Sequence, residues 1–342
     1  MSERWQKAKK LVEHAQHIVI LQAENPDGDS LGSALALEEI FEEMGKQTTL
    51  YCHMPVPNYL RYMRGWDRVT YELPHKFDLT VVVDASVQSL FEKTFASHQA
   101  SAFDRAPVVI FDHHGNFSQG DHLDQRFRDV LTINDPSYVA TSELLYDWAK
   151  ACELPLTTQA GEHLVAAILA DSLGLMSEGT SARTVRIVSE LMEKGVNLSE
   201  LDQRRRELMK KSPEITAYKG RLLQRLEYHL DGQLAIVHIP WEEIAQYSEQ
   251  YNPSMLVLEE MRMVQGVRMA IALKTYPDGK MTAKIRTNPS GAVADKVAEH
   301  FGAGGHPYAA GFKVHTDDPT SIKHEMIGVV REALCEFDGE PC

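Results

Sequence analysis

The stretch AENPDGDS, residues 23–30, sets two carboxylates two positions apart, Asp27 and Asp29. Further along, VVVDAS supplies Asp84, FDHHGN supplies Asp112, His113 and His114 in succession, and ILADSLGL supplies Asp171. Clustered carboxylates suit hard divalent cations such as magnesium and manganese. Neutral imidazole is a common transition-metal ligand, and an aspartate beside it can fix its tautomer. A set rich in carboxylate and imidazole, without thiolate, suits manganese better than zinc. The number of acids suggests two ions sharing a bridging carboxylate, about 3.5–4 Å apart. Each piece also has an ordinary reading. Pro-Asp-Gly is common turn chemistry, Asp29 or Ser30 could cap a helix, and Asp84 and Asp171 could each mark the end of an element.

What makes these residues more than turns is where the elements put them. HIVILQA (17–23), QTTLYC (47–52), LTVVVDAS (79–86) and APVVIFDHH (106–114) are short, apolar and β-branched, the pattern of buried strands. Helices are predicted over 30–44, about 140–151, 158–170 and 181–195. Strands alternating with helices imply an α/β fold, a mostly parallel sheet with helices on both faces. In such sheets ligands bind beyond the carboxyl ends of the strands, and Asp27, Asp84 and Asp112-His113-His114 each follow one. We therefore expect a first domain over 1–195, a helical linker over 196–226 interrupted at Pro213, and a smaller C-terminal α/β domain over 227–342. The last contains strands at 234–239, 266–276 and 281–287, a helix near 291–301, the loop FGAGGHPYAAGF (301–312) and a final helix over 319–336.

Composition narrows the function further. With 342 residues there is room for two domains, and a formal net charge of −14 argues against wrapping long duplex DNA. Four scattered cysteines without a CxxC pair argue against a disulfide framework or a zinc ribbon. No apolar run is long enough for a bilayer, and the N-terminal MSERWQKAKKLVEHAQ lacks the apolar core of a signal peptide. The expectation is a cytoplasmic protein without membrane association. The basic run QRRRELMKK (203–211) reads as a solvated helix face. His75, His98, His122, His163, His229 and His238 show no ligand spacing.

NPDGDSLGS, VVVDAS, FDHHGN and ILADSLGL, in this order, resemble the successive motifs of the DHH phosphoesterase family. GAGGHPYAAGF resembles the glycine-rich signature of the DHH-associated C-terminal domain. The resemblance covers about 15–315 and is closest to the nanoRNase and pAp-phosphatase-like group. It implies that Asp27 and Asp84 hold a first metal, with Asp84 bridging, and that Asp29, Asp84, His113 and Asp171 hold a second. His114 would face the phosphate, with Asp112 behind it. Arg286 in KIRT and His306 on its loop would bind substrate, with Gly304 and Gly305 letting backbone N–H groups approach an anion. The implied activity is metal-dependent hydrolysis of short single-stranded oligonucleotides, linear dinucleotides or pAp by a metal-activated water, and the implied assembly a possible homodimer.

One position departs from the pattern. The family usually carries a histidine four residues before the first motif aspartate; here that residue is Ala23. Glu24 or His53 would be the available substitutes. A weak first metal site follows as an expectation, and with it an alternative reading as a nucleotide-binding or regulatory protein. A cyclic dinucleotide phosphodiesterase is a further alternative, differing only in substrate.

Overall fold

Strand β1 (His17–Leu21) follows helix α1 (Glu3–His14) and leads into α2 (Gly28–Glu43). Next come β2 (Gln47–Tyr51), β3 (Leu79–Val83), α3 (Glu92–Ala96), β4 (Val108–Asp112) and β5 (Val130–Asn134). Helices α4 (Thr141–Ala151), α5 (Thr158–Asp171), α6 (Ala182–Glu193) and α7 (Leu198–Leu208) complete the first of two compact units, which divide between Lys210 and Lys211. The structure is a computed structural model that describes residues 2–115 and 122–339. Asn116, which ends the FDHHGN stretch, and Cys342 lie outside the described residues.

The five strands form a parallel sheet in the order β2-β1-β3-β4-β5. Side chains alternate across it, as the pleat requires. Ile18, Ile20, Val81, Val83, Val109 and Phe111 join the core shared with α1, α2, α4, α5 and α6. Val19, Leu21, Val82 and Ile110 point to the other face. That face too is covered by helical segments, but short ones. It carries α3 and short 3-10 turns, whose Phe91, Phe95, Phe103 and Phe127 form a cluster with edge-on contacts such as Phe95–Phe127 at 6.0 Å. Four large rings cover the apolar area that a helix would otherwise have to cover. The sheet order reverses between β1 and β3, and a parallel sheet opens a crevice beyond its carboxyl ends at such a reversal.

Helices α2 and α5 meet along small residues. A Cβ on Gly28 would lie 2.3 Å from the Ala170 Cβ, and one on Gly32 would lie 2.7 Å from the Ala167 Cβ and 2.8 Å from the His163 carbonyl oxygen. This close approach brings the start of α2, with Asp29, against the end of α5, with Asp171. The N-cap of α2 is Asp27, whose Oδ1 accepts from the Ser30 N–H at 2.9 Å. The expectation that Asp29 or Ser30 serves there is corrected, because Asp29 lies in the first turn and is turned inward to other work.

The second unit opens with α8 (Pro213–Gln224), β6 (Glu227–His229), β7 (Leu234–Ile239), α9 (Trp241–Tyr247), α10 (Leu258–Arg262), β8 (Met269–Thr275) and β9 (Lys280–Thr287). It closes with α11 (Ala294–His300), β10 (Gly305–His306), β11 (Ala309–His315) and α12 (Pro319–Asp338). Its mixed sheet runs β10-β11-β9-β8-β7-β6. Ile236, Ile271, Ile285 and Phe312 pack with α11 and α12 on one face; Ala235, Val237, Ala270 and Ala272 pack with α8, α9 and α10 on the other. The segment 196–226, expected as a linker, is divided between the units. Leu201 of α7 is buried in the first core, while Ile215, Tyr218 and Leu222 of α8 are buried in the second.

Replacing Gly32 with alanine forces a methyl group against backbone that cannot swing aside. A loss of about 1–3 kcal/mol is expected, read as a lower urea midpoint for the first unit. Gly220→Ala, at an open position in α8, is expected to stabilise by roughly 0.5–1 kcal/mol.

Candidate active site

Asp29 has no solvent exposure. Its Oδ2 accepts the Thr141 N–H at 2.5 Å, and its Oδ1 accepts the Ser142 N–H at 3.0 Å and the Ser33 hydroxyl at 3.3 Å. Thr141 and Ser142 open α4, whose N-cap, Ala140, has no side chain to cap it. Asp29 therefore caps α4 from the neighbouring helix and takes advantage of the positive end of its dipole. Burial, followed by the nearby Asp171 carboxylate, raises its pKa.

Asp84 leaves β3 with φ +59°, in the left-handed region. Aspartate enters that region more readily than most residues do. Its Oδ1 accepts the Thr141 hydroxyl at 2.9 Å, so Thr141 ties two acids together through different atoms. Burial, then Asp29 and Asp27, pushes the Asp84 pKa well above the ordinary carboxylate range.

His113 stands among three of these acids. Its Nε2 lies 3.1 Å from Asp171 Oδ2, 3.6 Å from Asp84 Oδ1 and 4.0 Å from Asp29 Oδ2. On the other side of the ring, Nδ1 is 3.3 Å from the Tyr138 carbonyl, which accepts its proton. Burial alone would lower the ring's pKa, but Asp171 and Asp29 outweigh it and lift it to about 9. Nε2 is buried and has no hydrogen bond of acceptable geometry.

His114 is held differently. Asp112, fully buried, accepts from His114 Nδ1 at 2.7 Å, from the His113 N–H at 2.8 Å and from the Ser86 hydroxyl. Burial would raise the Asp112 pKa, but hydrogen bonds from His114 and Ser86 hold it below the usual range. The Asp112 hydrogen bond in turn raises the pKa of His114. About half of the His114 side chain is exposed. The result is an oriented imidazole at the surface of the site.

Two groups among the described residues have ligand atoms close enough for one cation: Asp29, His113 and Asp171, and Asp84, His113 and His114. The donor set fits a divalent ion. It is oxygen-rich, it contains one imidazole whose Nε2 has no other partner, and its like charges repel until a cation separates them. Asp27 belongs to neither group; it is exposed and caps α2. Its field nevertheless reaches Asp84.

Ala23 is buried in the aromatic-lined core, and its methyl group offers nothing to a cation. Neither expected substitute replaces it. The Glu24 carboxylate turns away to accept the Thr94 N–H in α3 at 2.7 Å, and the His53 ring lies 3.4 Å from the Tyr51 hydroxyl.

In the second unit, Arg286 is half-buried on β9 and donates to the Ile285 carbonyl, and His306 sits on β10. A Cβ on Gly304 would meet nothing within 4 Å, so its backbone is open in that direction. Gly305 answers to the sheet instead, since a Cβ there would lie 2.5 Å from the Ala310 Cβ.

Sequence reasoning missed Thr141, Ser142, Ser86 and the Tyr138 carbonyl. Thr141-Ser142 at the start of a predicted helix was the available signal, because hydroxyl residues there mark a contested N-terminus.

Residues 17–180 match the DHH family, N-terminal domain. The first unit is therefore built on a DHH-type domain. A bifunctional oligoribonuclease and PAP phosphatase from Thermus thermophilus is 26% identical over 314 residues, covering 91% of this chain and 88% of the relative. Its namesake from Bacillus subtilis is 22% identical, covering 93% and 95%. The fold is shared with the crystal structure of an exopolyphosphatase-related protein from Bacteroides fragilis, at a TM-score of 0.79 and 19% identity, covering 99% of both chains. No helix among the described residues is long and apolar enough to cross a membrane.

Without metal, His113 carries a proton at neutral pH, since its pKa is lifted to about 9, and Asp84 titrates above its ordinary range. A ligated cation must displace such protons. Manganese binding at pH 7 is therefore expected to release protons, and affinity is expected to rise as pH climbs towards 9. Titration calorimetry in two buffers of different ionisation enthalpy measures the proton count; a count of zero would contradict it.

Proposed function

We propose that this phosphoesterase hydrolyses short single-stranded oligonucleotides, linear dinucleotides or pAp, using manganese or magnesium held by Asp29, Asp84, His113 and Asp171. The observation that carries the proposal is the His113 Nε2, which is buried, without a hydrogen bond and within 4.0 Å of three carboxylates. The names of the relatives support the substrate class. Bound divalent ions would supply the chemistry of an acidified water for attack on phosphorus and would neutralise charge on the phosphoryl oxygens.

The chain's own residues do the rest. Tyr138, by accepting from His113 Nδ1, leaves Nε2 as the coordinating atom. Thr141 and Ser142 hold Asp29 and Asp84 in place by hydrogen bonds. Asp112 holds His114 with its other nitrogen free, and its carboxylate favours the protonated ring, which suits His114 as a donor to the leaving oxygen and as a partner for the developing charge. His114→Asn is expected to lower kcat by about 10²–10⁴ with metal binding retained.

The two metal positions differ in strength. The position served by Asp29, His113 and Asp171 gathers three ligand atoms, one of them on a fully buried carboxylate. The other would have Asp27, Asp84 and the dead end of Ala23. We expect manganese titrated against the free protein and followed by electron paramagnetic resonance to show one tight ion, with a second retained only when nucleotide is added. Ala23→His is expected to make the second ion tight without nucleotide. Two tight ions in the unaltered protein would refute this asymmetry.

The test of the whole reading is product release from pAp, linear dinucleotides, five-residue RNA and cyclic dinucleotides with manganese, magnesium or chelator. Metal-dependent turnover of the linear or bisphosphate substrates, lost in Asp84→Asn by at least about 10²-fold, is expected. Nucleotide binding without turnover under any metal would favour a regulatory binding protein.

A further inference from the structure

The segment 135–142, which leads from β5 into the first turn of α4, contains none of the metal-ligand candidates yet touches three of them. The Tyr138 carbonyl accepts from His113 Nδ1 at 3.3 Å. The Thr141 and Ser142 N–H groups hold Asp29, and the Thr141 hydroxyl holds Asp84. Whatever fixes this backbone therefore fixes the site. An irregular connection has no ladder or helix of its own to do so, and its N–H and C=O groups must find other partners.

Those partners come from α4 and α6. Glu143, in the first turn of α4, is completely buried. Its Oε2 accepts the Val139 N–H at 2.8 Å, and its Oε1 accepts Arg183 Nε at 3.0 Å and the Thr184 hydroxyl at 3.1 Å. Arg183, at the start of α6, uses its guanidinium in three directions. Nε goes to Glu143, Nη2 donates to the Ser137 carbonyl at 2.8 Å, and the plane lies over the Tyr138 ring, with Cζ 3.8 Å from its centroid. The far end of that ring is tied as well, since the Tyr138 hydroxyl donates to Asp147 at 3.1 Å. Ser137, Tyr138 and Val139 are thus held in turn by a carbonyl, a ring and an N–H.

Among cationic side chains only arginine can do this. A planar fork donates along its edges and stacks through its face at once, whereas an ammonium is a point charge. A buried ion pair is also a poor source of stability, because desolvation offsets much of the attraction. What the Arg183–Glu143 pair supplies is fixed geometry at 137–139.

We propose that Arg183, backed by Glu143, is a positioning residue for the metal site: it clamps 137–139, aims the Tyr138 carbonyl at His113 Nδ1 and so leaves Nε2 as the nitrogen that meets the cation. The proposal rests on the reading of His113 as a ligand given above. Arg183 belongs to neither group of ligand atoms and acts through Tyr138.

The test must separate this role from simple anchoring of α6. Glu190 of α6 provides the control: it receives the Tyr146 hydroxyl at 2.5 Å and pairs with Lys150, both on α4, so it joins the same two helices without touching 135–142. Wild type, Arg183→Lys, the double variant Arg183→Gln with Glu143→Gln, and Glu190→Gln are compared as full chains. The double variant removes both charges, so that no buried carboxylate is stranded. Three quantities are read: the thermal midpoint without metal, manganese affinity by electron paramagnetic resonance, and the nitrogen resonances of the His113 ring with magnesium. The double variant is expected to bind manganese about 10-fold more weakly and to show His113 as a mixture of tautomers. Arg183→Lys, which keeps the charge and loses the fork, is expected to lie between it and wild type. Glu190→Gln is expected to lower the midpoint with affinity and tautomer unchanged. Wild-type affinity and a single tautomer in the double variant would overturn the proposal, as would an equal loss of affinity in Glu190→Gln. If wild type binds no manganese, the ligand reading of His113 fails. The metal-free protein then still decides the clamp through exchange protection of the His113 Nδ1 proton, expected in wild type and lost in the double variant.

Discussion

Among the described residues, Asp29 pairs with no lysine or arginine. It is completely buried, and what holds it is the backbone N–H groups of Thr141 and Ser142, the Ser33 hydroxyl and the His113 ring at 4.0 Å. Asp84 is almost as buried, and Asp171 faces the same ring. Burying one unpaired carboxylate is expensive, and burying several together is more so, because each raises the cost of ionising the next. The first unit is organised around that constraint. Helix α4 directs its uncapped N-terminus at Asp29, Thr141 bridges to Asp84, and α2 and α5 press together through glycine and alanine so that Asp29 and Asp171 converge. These arrangements reduce the repulsion without cancelling it, and a divalent cation would complete the balance.

Two imidazoles next to each other in the chain have been given opposite environments. His113 is enclosed by acids, and its Nδ1 is committed to a carbonyl. His114 is half exposed and anchored by a single buried carboxylate that is itself satisfied by Ser86. One ring is thus suited to coordination and the other to proton donation, and the difference comes from neighbours: Asp171 of α5, Asp29 of α2, Asp84 and the Tyr138 carbonyl around His113, and Asp112 of β4 beside His114.

Much of this was legible in the sequence, for identifiable reasons. Short β-branched runs marked β1 to β4, and acids or histidines directly after them marked the carboxyl edge of a parallel sheet. The strand VLTIN was not legible because, at the sheet edge, its burial alternates and its apolar run is broken by Thr132. Short α9 and α10 lack enough turns to show a period. The site's acids could be named from spacing and resemblance, but not their supports. Asp29 reads as a local cap in sequence, and only the packing of α2 against α5 and α4 reveals that it caps a helix more than a hundred residues away.

The left-handed backbone at Asp84 has a bearing on how this position tolerates drift. Glycine accepts the conformation but has no carboxylate. Asparagine accepts it nearly as well as aspartate but brings no charge. Glutamate retains the charge, but its side chain is longer and it lacks aspartate's tolerance for positive φ. Every neighbour in chemical space gives up either the backbone or the ligand, so two independent requirements converge on one residue type. Asp171, at the end of an ordinary helical turn, is under only one of them, and would be expected to vary first in any lineage where the metal site relaxes.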